Sequence, residues 1–191
     1  RTALVNSNEK GARFERSICG ALSLWVSNQT RDDLFWRSAM SGGRATLASR
    51  KGRRMRSAQC GDIVSLDEWG RPFLERYFVE CKFYEDLKIE AAFWGLEGHL
   101  PEIWDKPLKE ALEHDKTPLC VVKQNRKREL MFGTEATYKQ FARASMGTPL
   151  TLWGTFRRGD IMVHVWHLRE VLTRCSPSLL LGRHQRPREL L

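Results

Sequence analysis

Apolar residues recur at helical spacing near the start of the chain and in short strand-like runs further on. Phe14, Ile18, Leu22 and Trp25 are spaced by three or four residues, which predicts a helix over 9–27. Further helices are predicted over 106–114, 135–146 and 167–174. Strands are predicted over 34–38, 61–67, 73–84, 119–122, 130–132, 150–156 and 161–166. This order of elements predicts a mixed α/β domain.

Two pairs of these strands are expected to lie side by side. Turn residues at 69–72 separate 61–67 from 73–84, so these two strands are predicted to form a hairpin or to be near neighbours. Strand 130–132 is predicted to pair with strand 119–122 across a short polar connection.

Composition and charge limit the classes of protein that the chain can belong to. With 191 residues, 41% of them hydrophobic and 29% charged, the chain can form one domain with a buried core. The 32 Lys and Arg residues outnumber the 23 Asp and Glu residues, giving a net charge of +9 and a pI of about 9.6. This excess indicates a polyanionic partner, either nucleic acid or an acidic membrane surface.

The apolar runs are too short for an integral membrane protein, because a membrane-spanning helix needs roughly 20 apolar residues. The first residues lack an apolar segment, so we expect no secretory signal. The five cysteines are odd in number and none are spaced as Cys-x-x-Cys, which favours reduced thiols in a cytoplasmic protein over disulfides or a zinc site.

The strongest chemical signal is Asp62 on one predicted strand and Glu80-Cys81-Lys82 on the next. Side chains alternate along a strand, so Glu80 and Lys82 share a face while Cys81 points to the opposite, apolar one. If Asp62 faces Glu80, two carboxylates lie within reach of one divalent cation, and such oxygen ligands suit Mg²⁺. Lys82 would then hold, or help to deprotonate, a water for in-line attack on phosphorus. The alternative is an ion pair on a strand surface.

An Asp followed by Glu-x-Lys at this spacing resembles the PD-(D/E)xK nuclease superfamily, with Gly61 in place of the usual proline. The first helix contains Lys-Gly-Ala-Arg-Phe-Glu-Arg at 10–16, which is similar to the opening of the archaeal-type Holliday-junction resolvases. Arg37 and the Ser-Gly-Gly sequence at 41–43 resemble an Arg and a Ser-Gly-type loop of the same enzymes. The resemblance covers about residues 8–132 in element order.

The resemblance implies an α/β, restriction-endonuclease-like fold, with a mixed β-sheet core flanked by helices and a C-terminal α/β extension. Residues 1–134 would be the nuclease core, with a basic loop at 41–59. Residues 135–175 would be an extension packed on that core, and residues 176–191 a basic tail.

The same resemblance implies the residues of an active site. Asp62, Glu80, the backbone carbonyl of Cys81 and Glu15 would bind Mg²⁺, for which Mn²⁺ is expected to substitute. Lys82 would orient the water and Ser41 would assist catalysis.

Contacts with DNA are expected from the first helix, from the strand ends and from the basic loop. The loop could also be an ordinary solvated surface, but its position beside the candidate site favours phosphate binding, which would be strongly salt-dependent. The candidate DNA-binding residues are Lys10, Arg13, Arg16, Arg37, Arg44, Arg50, Lys51, Arg53, Arg54, Arg56, Lys123 and Gln124.

These features predict a Mg²⁺-dependent endonuclease that resolves four-way DNA junctions in the cytoplasm, or in the host cytoplasm if the chain is phage-encoded. Symmetric cutting of two strands implies a homodimer, and residues 84–104, with Phe93, Trp94 and Leu96, are the candidate interface. One alternative is another structure- or sequence-specific nuclease of this fold, for restriction, repair or phage DNA processing. The other is a non-catalytic DNA-binding module, which has no need of two adjacent carboxylates that repel each other.

Overall fold

A computed structural model of the protein describes residues 7–38, 61–89, 93 and 100–182. The helices in these ranges are α1 (Ser7–Val26), α2 (Arg71–Arg76), α3 (Leu100–Glu113), α4 (Glu135–Ala144), α5 (Leu168–Arg174) and α6 (Pro177–Leu181). The strands are β1 (Phe35–Arg37), β2 (Ile63–Ser65), β3 (Tyr77–Tyr84), β4 (Thr117–Gln124), β5 (Leu130–Thr134), β6 (Leu152–Arg158) and β7 (Ile161–His167).

Five of the strands form one mixed sheet in the order β3-β4-β5-β7-β6. β3 and β4 are parallel, with Cys81 opposite Val121, and the other neighbours are antiparallel. β1 and β2 form a separate antiparallel pair. Helices flank the sheet on both sides, so the predicted mixed α/β class and the predicted pairing of 119–122 with 130–132 are confirmed.

The two faces of the sheet belong to two apolar cores, as the alternation of side chains along a strand requires. Cys81 and Val121 lie in the core that contains Trp25 of α1. Cys120 and Val122, the chain neighbours of Val121, point to the opposite face and belong to the core that contains Trp104 of α3. β3 therefore separates α1 from α3, and its side chains reach both helices alternately.

The strand predicted over 73–84 begins only at Tyr77, because residues 71–76 form the helix α2. Pro72 lies in the first turn of α2, where a missing N–H costs nothing, and both Phe73 and Leu74 are buried. Of the two arrangements predicted for 61–67 and 73–84, the hairpin is wrong, because β2 pairs with β1 rather than with β3. The two segments are near neighbours instead, since the Asp62 N–H donates to the Val79 carbonyl at 3.0 Å.

α3 begins at Leu100, six residues before the predicted helix 106–114. Pro101 lies in its first turn, a position that tolerates proline because the N–H there needs no partner within the helix. Pro107 lies inside the helix and is buried. The buried side chain of Trp104 holds this part of α3 against the sheet, so packing outweighs the helix-breaking tendency.

The residues after 134 continue the sheet, to which they add β7 and β6. β7 pairs with β5, placing Val165 opposite Phe132, and the indole Nε1 of Trp25 donates a hydrogen bond to the Cys175 carbonyl at 2.8 Å. The helix α6 lies in the segment predicted as a tail, and its Leu180 is buried.

Phe93, expected at a dimer interface, packs within the chain. Its ring contacts Trp153 at a centroid distance of 4.9 Å, and it lies so close to Gly154 that a Cβ there would be 2.5 Å from the ring. Trp94, Leu96, Ser41 and the basic loop lie outside the described residues.

No described helix has the length and apolar character needed to cross a bilayer. The cysteines at 19, 81, 120 and 175 are buried and form no disulfide in the described part of the chain.

Gly61 brings the chain against the edge of β3. Its φ is +93°, and a Cβ at this position would lie 2.6 Å from the backbone oxygen of Val79. Proline holds φ near −65°, so this backbone cannot accommodate the proline usual in the resembling superfamily. Glycine is the residue that permits both the positive φ and the close approach.

Replacing Gly61 with alanine is expected to destabilise the protein by about 2–4 kcal/mol, because the methyl group adds a steric clash to the backbone strain. Urea unfolding would measure the loss. Gly147→Ala is the matched control: Gly147 has φ +78°, but nothing lies within 4 Å of its added Cβ. Equal losses for the two variants would contradict the close approach at Gly61.

Candidate active site

Asp62 lies where the chain runs along the open edge of β3. Its N–H donates to the Val79 carbonyl at 3.0 Å, and its carboxylate Oδ2 accepts the Cys81 N–H at 2.8 Å. The side chain thus satisfies a backbone donor that an additional strand would otherwise pair with. These two bonds fix the carboxylate beside β3, and the side chain of Asp62 is buried.

Glu80 is buried on the face of β3 that α3 covers, with only 1% of its surface exposed. Two ammonium groups donate to its Oε1 atom: Lys82 Nζ at 2.5 Å and Lys106 Nζ at 2.8 Å. Lys82 was predicted beside Glu80 from strand alternation. Lys106 comes from α3 and was missed, because nothing in a single sequence indicates which face of that helix meets β3.

Glu15 of α1 forms an ion pair with Arg37 of β1, with Arg37 Nε 2.9 Å from Glu15 Oε2. Glu15 is 9% exposed, and its charge contributes to raising the pKa of Asp62. The first helix therefore does bring a carboxylate close to Asp62. Arg37, predicted to contact DNA, is engaged with Glu15 in this structure.

Burial, followed by the charge of the neighbouring Glu80 carboxylate, raises the pKa of Asp62 to about 7. The Cys81 N–H and Lys82 oppose this shift in the pKa. For Lys82, burial alone would lower the pKa, but the Glu80 carboxylate outweighs burial and raises it above the ordinary value. Lys82 is therefore a protonated donor, suited to holding a water or a phosphate oxygen rather than to removing a proton.

The described residues contain no group of three or more His, Cys, Asp or Glu side chains placed to bind one metal ion. Asp62 and Glu80 nevertheless supply two buried carboxylates, and the carbonyl of Cys81, which follows Glu80 in the chain, is a further oxygen donor. This donor set fits a hard divalent cation such as Mg²⁺, which retains several waters and needs few protein ligands. A cation would also relieve the repulsion that raises the pKa of Asp62.

A groove of about 350 Å³ lies between α1 and the ends of β3 and β4. Three predicted DNA-binding residues, Lys10, Arg13 and Lys123, line it. Lys10 forms an ion pair with Glu85 at 2.5 Å, and Lys123 forms one with Glu129. Phosphate groups entering the groove would compete with these carboxylates, which makes binding there dependent on salt.

The remaining predicted contacts have separate positions. Arg16 is exposed on α1. The side-chain amide of Gln124 donates to Asp86 at 3.3 Å, while its Oε1 atom is buried without a hydrogen-bond partner. The role of Gln124 at a scissile phosphate stays a prediction, as does every role assigned to Ser41 and the basic loop, which lie outside the described residues.

Comparisons with a family model and with solved structures give matches for this chain. A family model described as "Phage putative PDDEXK endonuclease" matches residues 6–162. Among solved structures, the chain is similar to the Holliday-junction resolvase Hjc of Archaeoglobus fulgidus, with 14% identity over 93% of this chain and 99% of that chain, at a TM-score of 0.33. A search of curated proteins finds no match.

In EDTA, Asp62→Asn is expected to stabilise the protein in a pH-dependent way. Asparagine keeps an oxygen for the Cys81 N–H but removes one buried charge. The pKa of Asp62 is about 7 in the folded protein against an ordinary 3.8, so ionisation costs stability as the pH rises between these values.

We expect the variant to gain on the order of 3 kcal/mol relative to wild type between pH 4 and pH 8, with most of the gain complete above pH 7. Urea unfolding at a series of pH values measures this difference. A difference that stays constant over the range would contradict the raised pKa of Asp62.

Proposed function

Because the chain belongs to the family of phage PDDEXK endonucleases, we propose that it is a Mg²⁺-dependent DNA endonuclease that cleaves branched DNA as a Holliday-junction resolvase does. The observation that supports catalysis is the convergence of Asp62, Glu80 and Lys82 at the edge of β3. Burying two carboxylates beside a protonated lysine lowers the stability of the fold. Such groups with perturbed pKa values are concentrated at functional sites, and phosphodiester hydrolysis requires residues of these types.

In this proposal Asp62, Glu80 and the Cys81 carbonyl hold the cation, which would supply Lewis-acid stabilisation of the negative charge that develops on the phosphate. Lys82 orients the attacking water by hydrogen bonding and stabilises charge on a phosphate oxygen. The water oxygen forms a new bond to phosphorus, and a phosphorus–oxygen ester bond breaks on the opposite side. The proton that the water loses passes to solvent, and the leaving oxygen takes a proton from solvent to become a hydroxyl group. Glu15, held by Arg37, contributes to the negative field that attracts the cation, either directly or through water.

DNA would approach along the α1 side, where Lys10, Arg13 and Lys123 line the groove. The basic loop at 41–59 would add arginine contacts to the phosphate backbone. The chain's net charge of +9 supports a polyanionic substrate. A C2 homodimer would cut both strands of a junction symmetrically, and the protein would act in the cytoplasm.

The proposal is tested by cleavage of a labelled four-way junction and of a linear duplex of the same sequence in Mg²⁺. Paired symmetric nicks are expected on the junction alone, and Asp62→Asn is expected to reduce their rate at least about 100-fold because the variant lacks one metal-binding carboxylate. Asp160→Asn is the matched control, because Gly159-Asp160-Ile161 repeats the Gly-Asp-Ile sequence around Asp62 in an exposed turn.

Cutting of both substrates would retain a nuclease of this fold and reject the resolvase. Tight junction binding without cutting in Mg²⁺ or Mn²⁺ would leave the non-catalytic DNA-binding module. Loss of cutting in Asp160→Asn as well as in Asp62→Asn would show that the assay does not report on the metal site.

Metal dependence is measured separately, by thermal unfolding without DNA. A cation that binds the folded protein raises its melting temperature, so Mg²⁺ or Mn²⁺ should raise the melting temperature of wild type and of Asp160→Asn relative to EDTA. Asp62→Asn should lose most of this increase. An equal increase in all three proteins would place the cation elsewhere.

A further inference from the structure

Lys106 binds the same oxygen of Glu80 as Lys82 does, although it lies 26 residues away in the chain. Its ammonium group is 2.8 Å from Glu80 Oε1 and 3.8 Å from Glu110 Oε1, one turn further along α3. Its side chain is 43% exposed, compared with 28% for Lys82. Lys106 thus lies between two carboxylates and has access to solvent.

The described part of the site already holds nearly as many cations as carboxylates without a metal ion. The carboxylates of Glu15, Asp62, Glu80 and Glu110 face the cations of Arg37, Lys82 and Lys106, in contacts that involve four separate elements. A divalent cation added to this set would create an excess of one positive charge next to Glu80. Its binding is therefore favoured if one ammonium group leaves Glu80 at the same time.

The lysine that can leave more readily is Lys106. Lys82 is attached to the same strand as Glu80, two residues away, and points to the same face. Lys106 is more exposed and has Glu110 as a second partner on its own helix, at the spacing that favours such pairs. A change of side-chain conformation is sufficient to move its ammonium group from one carboxylate to the other.

We propose that Lys106 is a positioning residue that neutralises Glu80 in the metal-free protein and is displaced from Glu80 by the divalent cation. This inference rests on the metal site of the proposed function, which it deepens. Lys106 acts through Glu80: it keeps the buried carboxylate in place before the metal binds, and it sets how tightly the metal binds when DNA is absent.

The test is the affinity of the DNA-free protein for Mn²⁺, measured by isothermal titration calorimetry. Lys106→Met removes the competing charge, so its affinity for Mn²⁺ should be about tenfold higher than that of wild type. Lys106→Arg keeps the charge and should remain near wild type. Lys109→Met is the matched control, because Lys109 is an exposed lysine on α3 for which the described residues show no ion pair.

Thermal unfolding gives a second readout that does not depend on catalysis. In EDTA, Lys106→Met should melt at a lower temperature than Lys109→Met, because the buried Glu80 loses one of its two cations. At saturating Mn²⁺ this difference should disappear, since the metal then neutralises Glu80. If Lys106→Met does not fold, Lys106→Gln removes the same charge and retains a hydrogen-bond donor.

Unchanged or weaker Mn²⁺ affinity in Lys106→Met, with junction cleavage intact in wild type, would overturn the role of Lys106 and leave the nuclease. Affinity that rises equally in Lys109→Met would also overturn it, because the effect would then come from net charge. No Mn²⁺ binding and no Mg²⁺-dependent cleavage in any variant would reject the proposed function and this inference together.

Discussion

The arrangement of the site depends on the burial of two like charges, Asp62 and Glu80, beside the edge of one strand. Burial and mutual repulsion raise the pKa of Asp62 to about 7, so the fold holds this pair only with compensating contacts. The Cys81 N–H comes from β3 itself, Lys82 lies two residues from Glu80, and Lys106 reaches Glu80 from α3. The pair thus links the edge of the sheet to the helix that covers it.

The open edge of β3 makes this arrangement possible. β3 is the terminal strand of the described five-stranded sheet, so its Cys81 N–H has no neighbouring strand to pair with and donates to the carboxylate of Asp62 instead. Gly61 allows the chain to approach that closely, because any side chain there would meet the Val79 carbonyl. The same few atoms therefore satisfy the open edge of the sheet and position the carboxylate that we propose as a metal ligand.

Many basic residues near the site are paired with acidic neighbours. Lys10 with Glu85 and Lys123 with Glu129 illustrate this, since both lysines line the groove beside α1. Such pairs contribute little to stability at an exposed surface, and a phosphate can replace the carboxylate with a similar contact. In the proposed function, DNA phosphates would therefore replace the carboxylates that now pair with the lysines of the groove. A metal ion would replace Lys106 at Glu80 in a similar way.

The sequence by itself determined the local features that depend on neighbours along the chain. The three-to-four-residue spacing of Phe14 and Ile18 predicts α1 because a helix has 3.6 residues per turn. Strand alternation places Glu80 and Lys82 on one face, and the structure confirms this with a 2.5 Å contact. The mixed α/β class followed from the order of such elements.

Tertiary structure alone decided the features that depend on residues far apart in the chain. Strand pairing was one of these features. The turn residues at 69–72 are compatible with a hairpin of the two strands around them, but β2 pairs with β1. The link to β3 is instead a hydrogen bond from the Asp62 N–H to the Val79 carbonyl. The contact between Lys106 and Glu80 was another, because it depends on the rotation of α3 about its axis. That rotation is set by the packing of Trp104 into the core, which periodicity in one segment cannot specify.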